Sequence, residues 1–408
     1  MANTLTNTDV YTIVNSMASQ MYGNAALTAV DTTTFATIGE NMLRTGYEST
    51  LNALSTVIGR SITAIRPYKS KFNIVSADSM RFGQILRKIS YFTSDFEQSQ
   101  DWNTNISATA LNDGGSIDHY KIKKRYPLEI NFCGNKVLQT HVTRFRKQLR
   151  QAFRSESDFA AFYEGVAIEV ANELEAKKEA EARALVLNHI GAVYTAGTDK
   201  MKVNLTKAYN TEFGTEYTSS ELLTAHLNDF LAFFVSTVKK TVEYLEENTE
   251  LYHLTPSKTD DNGSTLKLLR HTPRELQKLV LNKNFIFDAE ARVLPAVFND
   301  EYLKLDNYEG VMFWQSPSSP YEVNVKPNYL DVTTGQSKDA TGAVNIKYVL
   351  GMIFDRDALN MEIHSEDVIT TPVNAAGDYY NTYYHWAKQY NDDLTENSVL
   401  YYMEDEAT

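Results

Sequence analysis

Residues 158–190 constrain this chain more than any other stretch, because they carry a helical pattern longer than most globular helices. No proline interrupts it, Gly165 is its only interior glycine, and Ser155 or Ser157 can cap its first turn. At about 1.5 Å per residue such a helix spans about 50 Å. Its first half is apolar (Phe159, Phe162, Tyr163, Val166, Val170, Leu174), and Glu173 to Arg183 is a solvated run of Ala, Glu, Lys and Arg. Leu185, Val186, Leu187 and Ile190 then close it before Gly191. Apolar ends around a wet middle describe a strut. A coiled coil is the plainer alternative, but the heptads are not sustained for long enough. The 408 residues accommodate two conventional domains or one elongated subunit with extensions.

A second feature lies upstream. Asn112-Asp113-Gly114-Gly115 is a tight-turn signal, since these residue types tolerate positive φ. The flanking segments Thr104–Leu111 and Ile117–Tyr126 read as arms of a long β-hairpin. Lys121, Lys123, Lys124 and Arg125 interleave there with Tyr120, Ile122 and Tyr126. A ribbon this polar has little apolar surface for its own core, and two strands alone are marginal, so it needs a partner surface. The six residues Tyr120, Lys121, Lys123, Lys124, Arg125 and Tyr126 are therefore candidate inter-subunit contacts. Phosphate contact is the less favoured reading of that basic cluster.

Around these lie less distinctive elements. Asp31-Thr32-Thr33-Thr34 starts a helix whose stripe continues through Phe35, Ile38, Met42 and Leu43 to Ile62, an amphipathic arm that Arg66-Pro67 ends. A second helix is expected over about Ser220–Glu247, and a shorter one from Thr272-Pro273-Arg274-Glu275 to about Leu281. Phe285–Phe287, Val311–Trp314 and Tyr321–Val325 read as short strands, and 331–342 as a mobile loop. Val344 to Phe354 alternates strictly, which predicts a half-buried strand. Tyr379–Tyr390 and Asn397–Met403 are further strands, with Glu404-Asp405-Glu406 as an exposed acidic tip.

Charge is unevenly placed. The net value is −13, yet 17 Lys/Arg face 7 Asp/Glu between Arg60 and Arg154, leaving about −20 for residues 155–408. The halves can attract each other between neighbouring copies or compensate within one chain. The 25 Tyr and 19 Phe lean towards an interface-rich protein. Cys133 is the only cysteine, which rules out an intrachain disulfide and fits a small buried hydrophobe in a cytoplasmic protein. Met1 to Asn15 shows no signal-peptide pattern, and no apolar run is long enough for a membrane span.

Catalytic and cofactor signatures are absent. The eight histidines form neither H-E-x-x-H nor H-x-H, and no phosphate-loop, dinucleotide or nucleophile-elbow motif occurs. No catalytic, cofactor or metal residue is expected. Asp355 and Asp357 are the one paired-carboxylate candidate for a cation or acid–base chemistry. A capped turn before Ala358-Leu359 explains them more simply.

The order of elements (helical N-arm, basic polar hairpin, strut helix, mixed domain, returning strands) resembles the tailed-phage major capsid fold of the Hong Kong 97 type, an α+β architecture. Met352-Ile353-Phe354-Asp355-Arg356-Asp357-Ala358-Leu359 resembles a stretch common near the end of those proteins. Tyr379-Tyr380-Asn381-Thr382-Tyr383-Tyr384-His385-Trp386 is similar to the aromatic closing strand in short-tailed phages of Gram-positive hosts, nearest to small staphylococcal podoviruses. The resemblance implies an N-terminal arm over 1–75 along a neighbouring subunit and an extension loop over 76–135. It also implies a peripheral domain over 136–205 with 365–408 around the spine helix, and an axial domain over 206–364. It further implies self-assembly into hexamers and pentamers of a head enclosing double-stranded DNA, built in the host cytoplasm with a scaffolding protein and a portal. No removed pro-segment is expected. A nanocompartment shell of the same fold is one alternative, and a cytoplasmic α+β hydrolase using Asp355 and Asp357 is another.

Overall fold

The computed structural model describes residues 7–405 apart from 23–27, 46–48, 51–52, 55–74, 76–84, 94–112, 117–119, 121, 134–135, 146, 149–151, 154, 262, 264 and 293–307. The spine helix runs Glu156–Ala196, 41 residues and about 60 Å. Ser155 caps it: Asp158 N donates to Ser155 Oγ at 3.2 Å. It passes through Gly191, where a stop was expected. A Cβ there would meet Val325 Cγ1 at 2.6 Å and Pro327 Cβ at 3.2 Å, so this glycine serves a close approach and not a cap. The helix ends at Ala196, and Gly197 N donates to Val193 O at 2.8 Å. Gly165, by contrast, has nothing near its missing Cβ. Replacing Gly165 with alanine should therefore raise subunit stability by about 0.5–1 kcal/mol. Gly191→Ala should lower it by about 1–3 kcal/mol. Urea unfolding of the unassembled subunit measures both.

The chain divides into two compact units. The first comprises Met1–Gln84, Gly134–Ala184 and Met361–Tyr390. Its three-stranded antiparallel sheet has the strand order Leu359–Thr370, Tyr379–Asp392, Lys136–Phe145. One sheet face is the alternating set Tyr380, Thr382, Tyr384 and Trp386, which is buried as expected from the period-two pattern. Tyr380, Tyr384 and Trp386 share a core with Phe159, Tyr163, Val170 and Leu174 of the spine helix.

Two N-terminal helices complete that core. Thr32–Thr45 starts where predicted, with Thr34 N donating to Asp31 Oδ1 at 2.8 Å. That N–H, with the Thr34 hydroxyl, holds the Asp31 carboxyl below its usual range. Asn7–Tyr22 had no counterpart in the sequence reading. Val10, Val14, Met17, Phe35, Ile38 and Met42 are all buried in the same cluster as the aromatic half of the spine helix. These two helices therefore do not wait for a neighbour, which corrects the expectation for this part of 1–75. Their surfaces are rich in Ser, Thr and Asn, but each gathers its few apolar residues on one stripe. Beyond residue 45, helical backbone recurs at 49–50 and 53–54, and the rest of the predicted stripe lies outside the described residues.

The second unit comprises Ile85–Cys133, Leu185–Asn360 and Asn391–Thr408. Its five-stranded sheet has the order Lys202–Asn204, Ser398–Met403, Tyr348–Asp355, Gln277–Asn282, Tyr308–Val311. Ser398–Met403, expected with the peripheral part, thus pairs with Tyr348–Asp355 in this unit. The helix Leu227–Glu246 packs Phe230, Leu231, Phe234, Val238, Val242 and Leu245 against Leu279, Leu281, Leu350, Ile353, Val399 and Tyr401.

Several local expectations change here. The helix predicted from Ser220 is two helices, Ser219–Leu222 and Leu227–Glu246. Thr218 and Glu221 form a capping box on the first, and the backbone N–H groups of Thr224, Ala225 and His226 all turn back to Glu221 O. Thr272-Pro273-Arg274-Glu275 opens only a single 3-10 turn, Arg274–Leu276, before the strand Gln277–Asn282. The run Leu279-Val280-Leu281 belongs to a strand buried on both faces, which periodicity cannot tell from a buried helix. Tyr348–Asp355 is likewise buried on both faces and not half-buried, because Val349, Gly351 and Ile353 fill the side that alternation assigned to water. Phe285–Phe287 lies in the helix Lys283–Arg292. The expected loop 331–342 contains a hairpin, Asn328–Asp331 paired with Gln336–Asp339. Glu404 and Asp405 are not a free tip: Tyr194 Oη donates to Glu404 Oε2 at 2.9 Å, and Ser219 N to Asp405 Oδ1 at 2.6 Å.

Candidate inter-subunit surface

The expected hairpin is a longer excursion with a different paired part. Ile85–Tyr91 runs antiparallel to Pro127–Cys133, from Ile85 opposite Cys133 to Tyr91 opposite Pro127. The turn at Asp113-Gly114 is present, with Gly114 at φ +79°. The predicted arm 104–111 lies outside the described residues, and Ile122–Tyr126 makes no ladder. The polar arm therefore extends from a ribbon made by the more apolar sequences on either side of it.

That ribbon is fixed to its own unit by buried charge. Lys88 Nζ lies 2.7 Å from Asp393 Oδ2 and 2.9 Å from Glu396 Oε1, and donates to Asp357 O at 3.1 Å. Arg270 Nε sits 3.3 Å from Glu396 Oε2, and Arg270 Nη2 donates to Ser90 Oγ at 2.9 Å. Burial opposes the charge on Lys88, but Asp393 and Glu396 outweigh it and hold its pKa above the usual lysine value. Burial also pushes Glu396 up, with Lys88 and Arg270 offsetting part of the rise. His253, buried alongside, is held below the usual histidine range by desolvation, with Nε2 3.0 Å from Leu268 O. Sequence reading missed this cluster because its members are scattered over some 300 positions, each looking like a solvated charge.

Further out, the predicted contact residues separate into two groups. Tyr126 packs with Leu128 against Phe92, Leu266 and Leu268, and its hydroxyl accepts from Asp261 N at 3.2 Å. Lys124 Nζ meets Asp261 Oδ2 at 2.5 Å, which raises the lysine pKa and lowers the carboxyl. Both side chains of that pair stay largely exposed, so it contributes little stability. These two residues have partners on their own chain, against the expectation that the hairpin has none. Tyr120 and Ile122 are 89% and 83% exposed, and Lys123 and Arg125 are exposed with them. Lys121 lies outside the described residues. Ile89 and Tyr91, on the ribbon face away from Lys88, are also exposed. A large, uncovered aliphatic and aromatic set on a basic projection is a surface built for a partner.

Among the described residues nothing comparable marks a reaction centre. Asp355 is buried, accepts from Thr272 Oγ1 at 2.7 Å and from Asp357 N at 2.8 Å, and shapes the turn into Leu359. Asp357 points elsewhere, 3.6 Å from Arg356 Nε. His189 bridges Asp392 Oδ1 at 2.6 Å and Ser398 Oγ at 2.9 Å, the connectivity of a nucleophilic triad. His189 and Ser398 are both fully buried, so the relay is a satisfied core network. Among the described residues no group of three His, Cys, Asp or Glu could hold a metal ion, and no helix is long and apolar enough to cross a membrane.

Comparison with known proteins identifies what carries such a projection. A chain in the capsid structure of Staphylococcus phage Andhra superposes with a TM-score of 0.52 at 10% identity, over 83% of this chain and 86% of that one. A chain in the structure of the head fiber and inner core protein gp22 of native bacteriophage P68 gives 0.50 at 10% identity, again over 83% and 86%. No curated protein matches. These likenesses establish the HK97-like α+β fold. The model of the Phi29-like phage major capsid protein matches residues 11–402, nearly the whole sequence. The chain belongs to the Phi29-like phage major capsid protein family, and its role is to form the capsid shell.

Proposed function

We propose that the chain builds the head of a small short-tailed phage of a Gram-positive host, similar to the staphylococcal podoviruses, without catalysing a reaction. Copies associate as hexamers and pentamers around double-stranded DNA, in the host cytoplasm, with a scaffolding protein and a portal as further partners. Residues 76–135 act as the extension loop. Residues 136–205 with the returning strands form the peripheral part around the spine helix, and 206–364 form the axial part. In the 1–75 arm, the two packed helices anchor the chain and the remainder reaches a neighbour.

One observation carries this reading: a ribbon clamped at its base by buried ion pairs holds out a tip where Tyr120 and Ile122 are almost fully exposed. A rigid base sets the direction of the projection, and the tip becomes buried only against another copy. Many such modest contacts, acting together, close a shell. The full-length protein, expressed alone and with its scaffold and imaged by negative stain, should give closed particles of uniform diameter. Small oligomers under every condition would refute the proposal.

A further inference from the structure

Two unlike surfaces of one chain that fit each other join copies head to tail, and such contacts can close into rings. The extended tip is one such surface. Residues 120–126 hold four bases and no acid, with Tyr120 and Ile122 almost fully exposed. Its counterpart must be acidic and must present a large apolar side chain of its own.

Residues 205–236 form a face with both properties. They carry the acids Glu212, Glu216, Glu221 and Asp229 against the single base Lys207. Glu212, Glu216 and Asp229 are exposed, and Phe213 is 54% exposed at the end of the helix Leu205–Phe213. Tyr209 ties the set together: its ring centre lies 4.6 Å from that of Phe213, 6.5 Å from Tyr217 and 5.4 Å from Phe233. Burial pushes the Tyr209 hydroxyl up, and the nearby Asp229 and Tyr217 add to the rise. Tyr217 in turn stacks on His226 at 3.9 Å. Asn210 holds the loop that carries Glu216. Its Nδ2 donates to Tyr217 O at 2.8 Å, and its Oδ1 accepts from Tyr217 N at 3.1 Å and Thr215 Oγ1 at 2.9 Å. A face fixed in this way loses little freedom on being covered. Lys207 and Lys240 line the groove that Glu212 borders, so the negative side of the face is Glu216 and Asp229. The acidic run 243–250, by contrast, already meets cations of its own, since Glu243 and Glu250 lie 3.6 Å from Arg274 and Lys267.

We infer that the face around Phe213, Glu216, Tyr217 and Asp229 receives the extension tip of a second copy. Tyr120 and Ile122 cover the Phe213 ring, and Lys123 and Arg125 meet Glu216 and Asp229. Apolar side chains that water surrounds on both partners are buried together, and the charges around them have opposite sign. Tip and face differ, so each copy gives one contact and takes another, as a ring of five or six copies requires. The inference rests on the shell reading for the presence of a second copy. Charge and apolar exposure on the two described surfaces choose the occupant.

Two readouts on the full-length protein keep the contact apart from the shell. In the first, Ile122→Cys/Phe213→Cys is mildly oxidised and run on a denaturing gel without reductant, with each single variant as the background set by Cys133. The double variant should give a ladder of covalent oligomers that neither single variant gives. In the second, Lys123→Glu/Arg125→Glu and Glu216→Lys/Asp229→Lys are assembled separately and combined in one chain. Each pair alone should raise the concentration needed for particles at least roughly tenfold, and the combination should return it to within about threefold of the parent. The control Glu246→Lys/Glu247→Lys makes the same change in net charge, and joined to the tip reversal it should restore nothing. Particles from the parent with neither ladder nor rescue overturn the docking and leave the shell standing. A ladder without particles keeps the docking and counts against the shell. Equal rescue by the control pair reduces the effect to net charge and overturns the inference.

Discussion

Replacing Lys88 with methionine should cost the unassembled subunit about 3 kcal/mol at neutral pH, the lower end of the range for breaking a buried ion pair. Lys88 is the cation shared by Asp393 and Glu396, and both acids are buried. The low end applies because neither acid is left bare. Asp393 Oδ1 still accepts from Thr395 N at 2.9 Å and Thr395 Oγ1 at 2.7 Å, and Arg270 stays beside Glu396. The sign of the pH dependence follows from Glu396. Its folded-state pKa is already raised by burial and rises further without Lys88. The folded variant then holds a proton more tightly than the unfolded chain, so its deficit is full above that pKa and shrinks as pH falls through it. The gap between the urea midpoints of variant and parent should therefore narrow as the pH is lowered from neutral. Hydrogen exchange should show the loss first in Ile85–Tyr91 and Pro127–Cys133, the strands that Lys88 ties down. A cost below about 1 kcal/mol with no pH trend would mean that the ion cluster does not hold the ribbon.

Local signals in the sequence were strong where one element decides its own form. The spine helix, with its Ser155 cap and its unbroken pattern, is legible because nothing in 41 residues competes with it. The strand Tyr379–Asp392 is legible because its sheet has one dry and one wet face, so Tyr380, Thr382, Tyr384 and Trp386 alternate cleanly. Tyr348–Asp355 and Gln277–Asn282 misled because a strand in the middle of a covered sheet loses its period. Gly191 and Gly197 look alike in a sequence, and only the approach of Val325 and Pro327 makes the first a packing glycine. At the candidate surface the residue types were right, but their grouping was not. Whether Lys124 finds Asp261 on its own chain, while Tyr120 stays exposed, depends on where a loop 137 positions away folds back. The ion cluster under the ribbon is the extreme case, since long-range charge pairing leaves no local mark at all.

Reversing charge at the tip, with Lys121→Glu, Lys123→Glu and Arg125→Glu together, should leave the subunit folded and abolish particles. Lys124 is kept, because Asp261 would oppose a glutamate there and confuse a local effect with an assembly effect. The described members of the set, Lys123 and Arg125, are exposed, so subunit stability should change by no more than about 0.5 kcal/mol. Assembly is a different matter. A basic tip seated on a partner from an acidic chain of net charge −13 gains from complementarity, and reversing it sets like charges face to face. Such juxtaposition costs several kcal/mol per interface, and about 3 kcal/mol already raises the concentration needed for association roughly a hundredfold. In the proposed shell each subunit offers one loop and receives another, so the cost recurs around the whole particle. Sedimentation should show a monodisperse slow species with the parent's thermal midpoint. A companion variant, Tyr120→Ser/Ile122→Ser, separates charge from apolar burial: it should weaken assembly without the rescue by high salt expected of the charge-reversed protein. Normal particles from both variants would remove the tip from the interface.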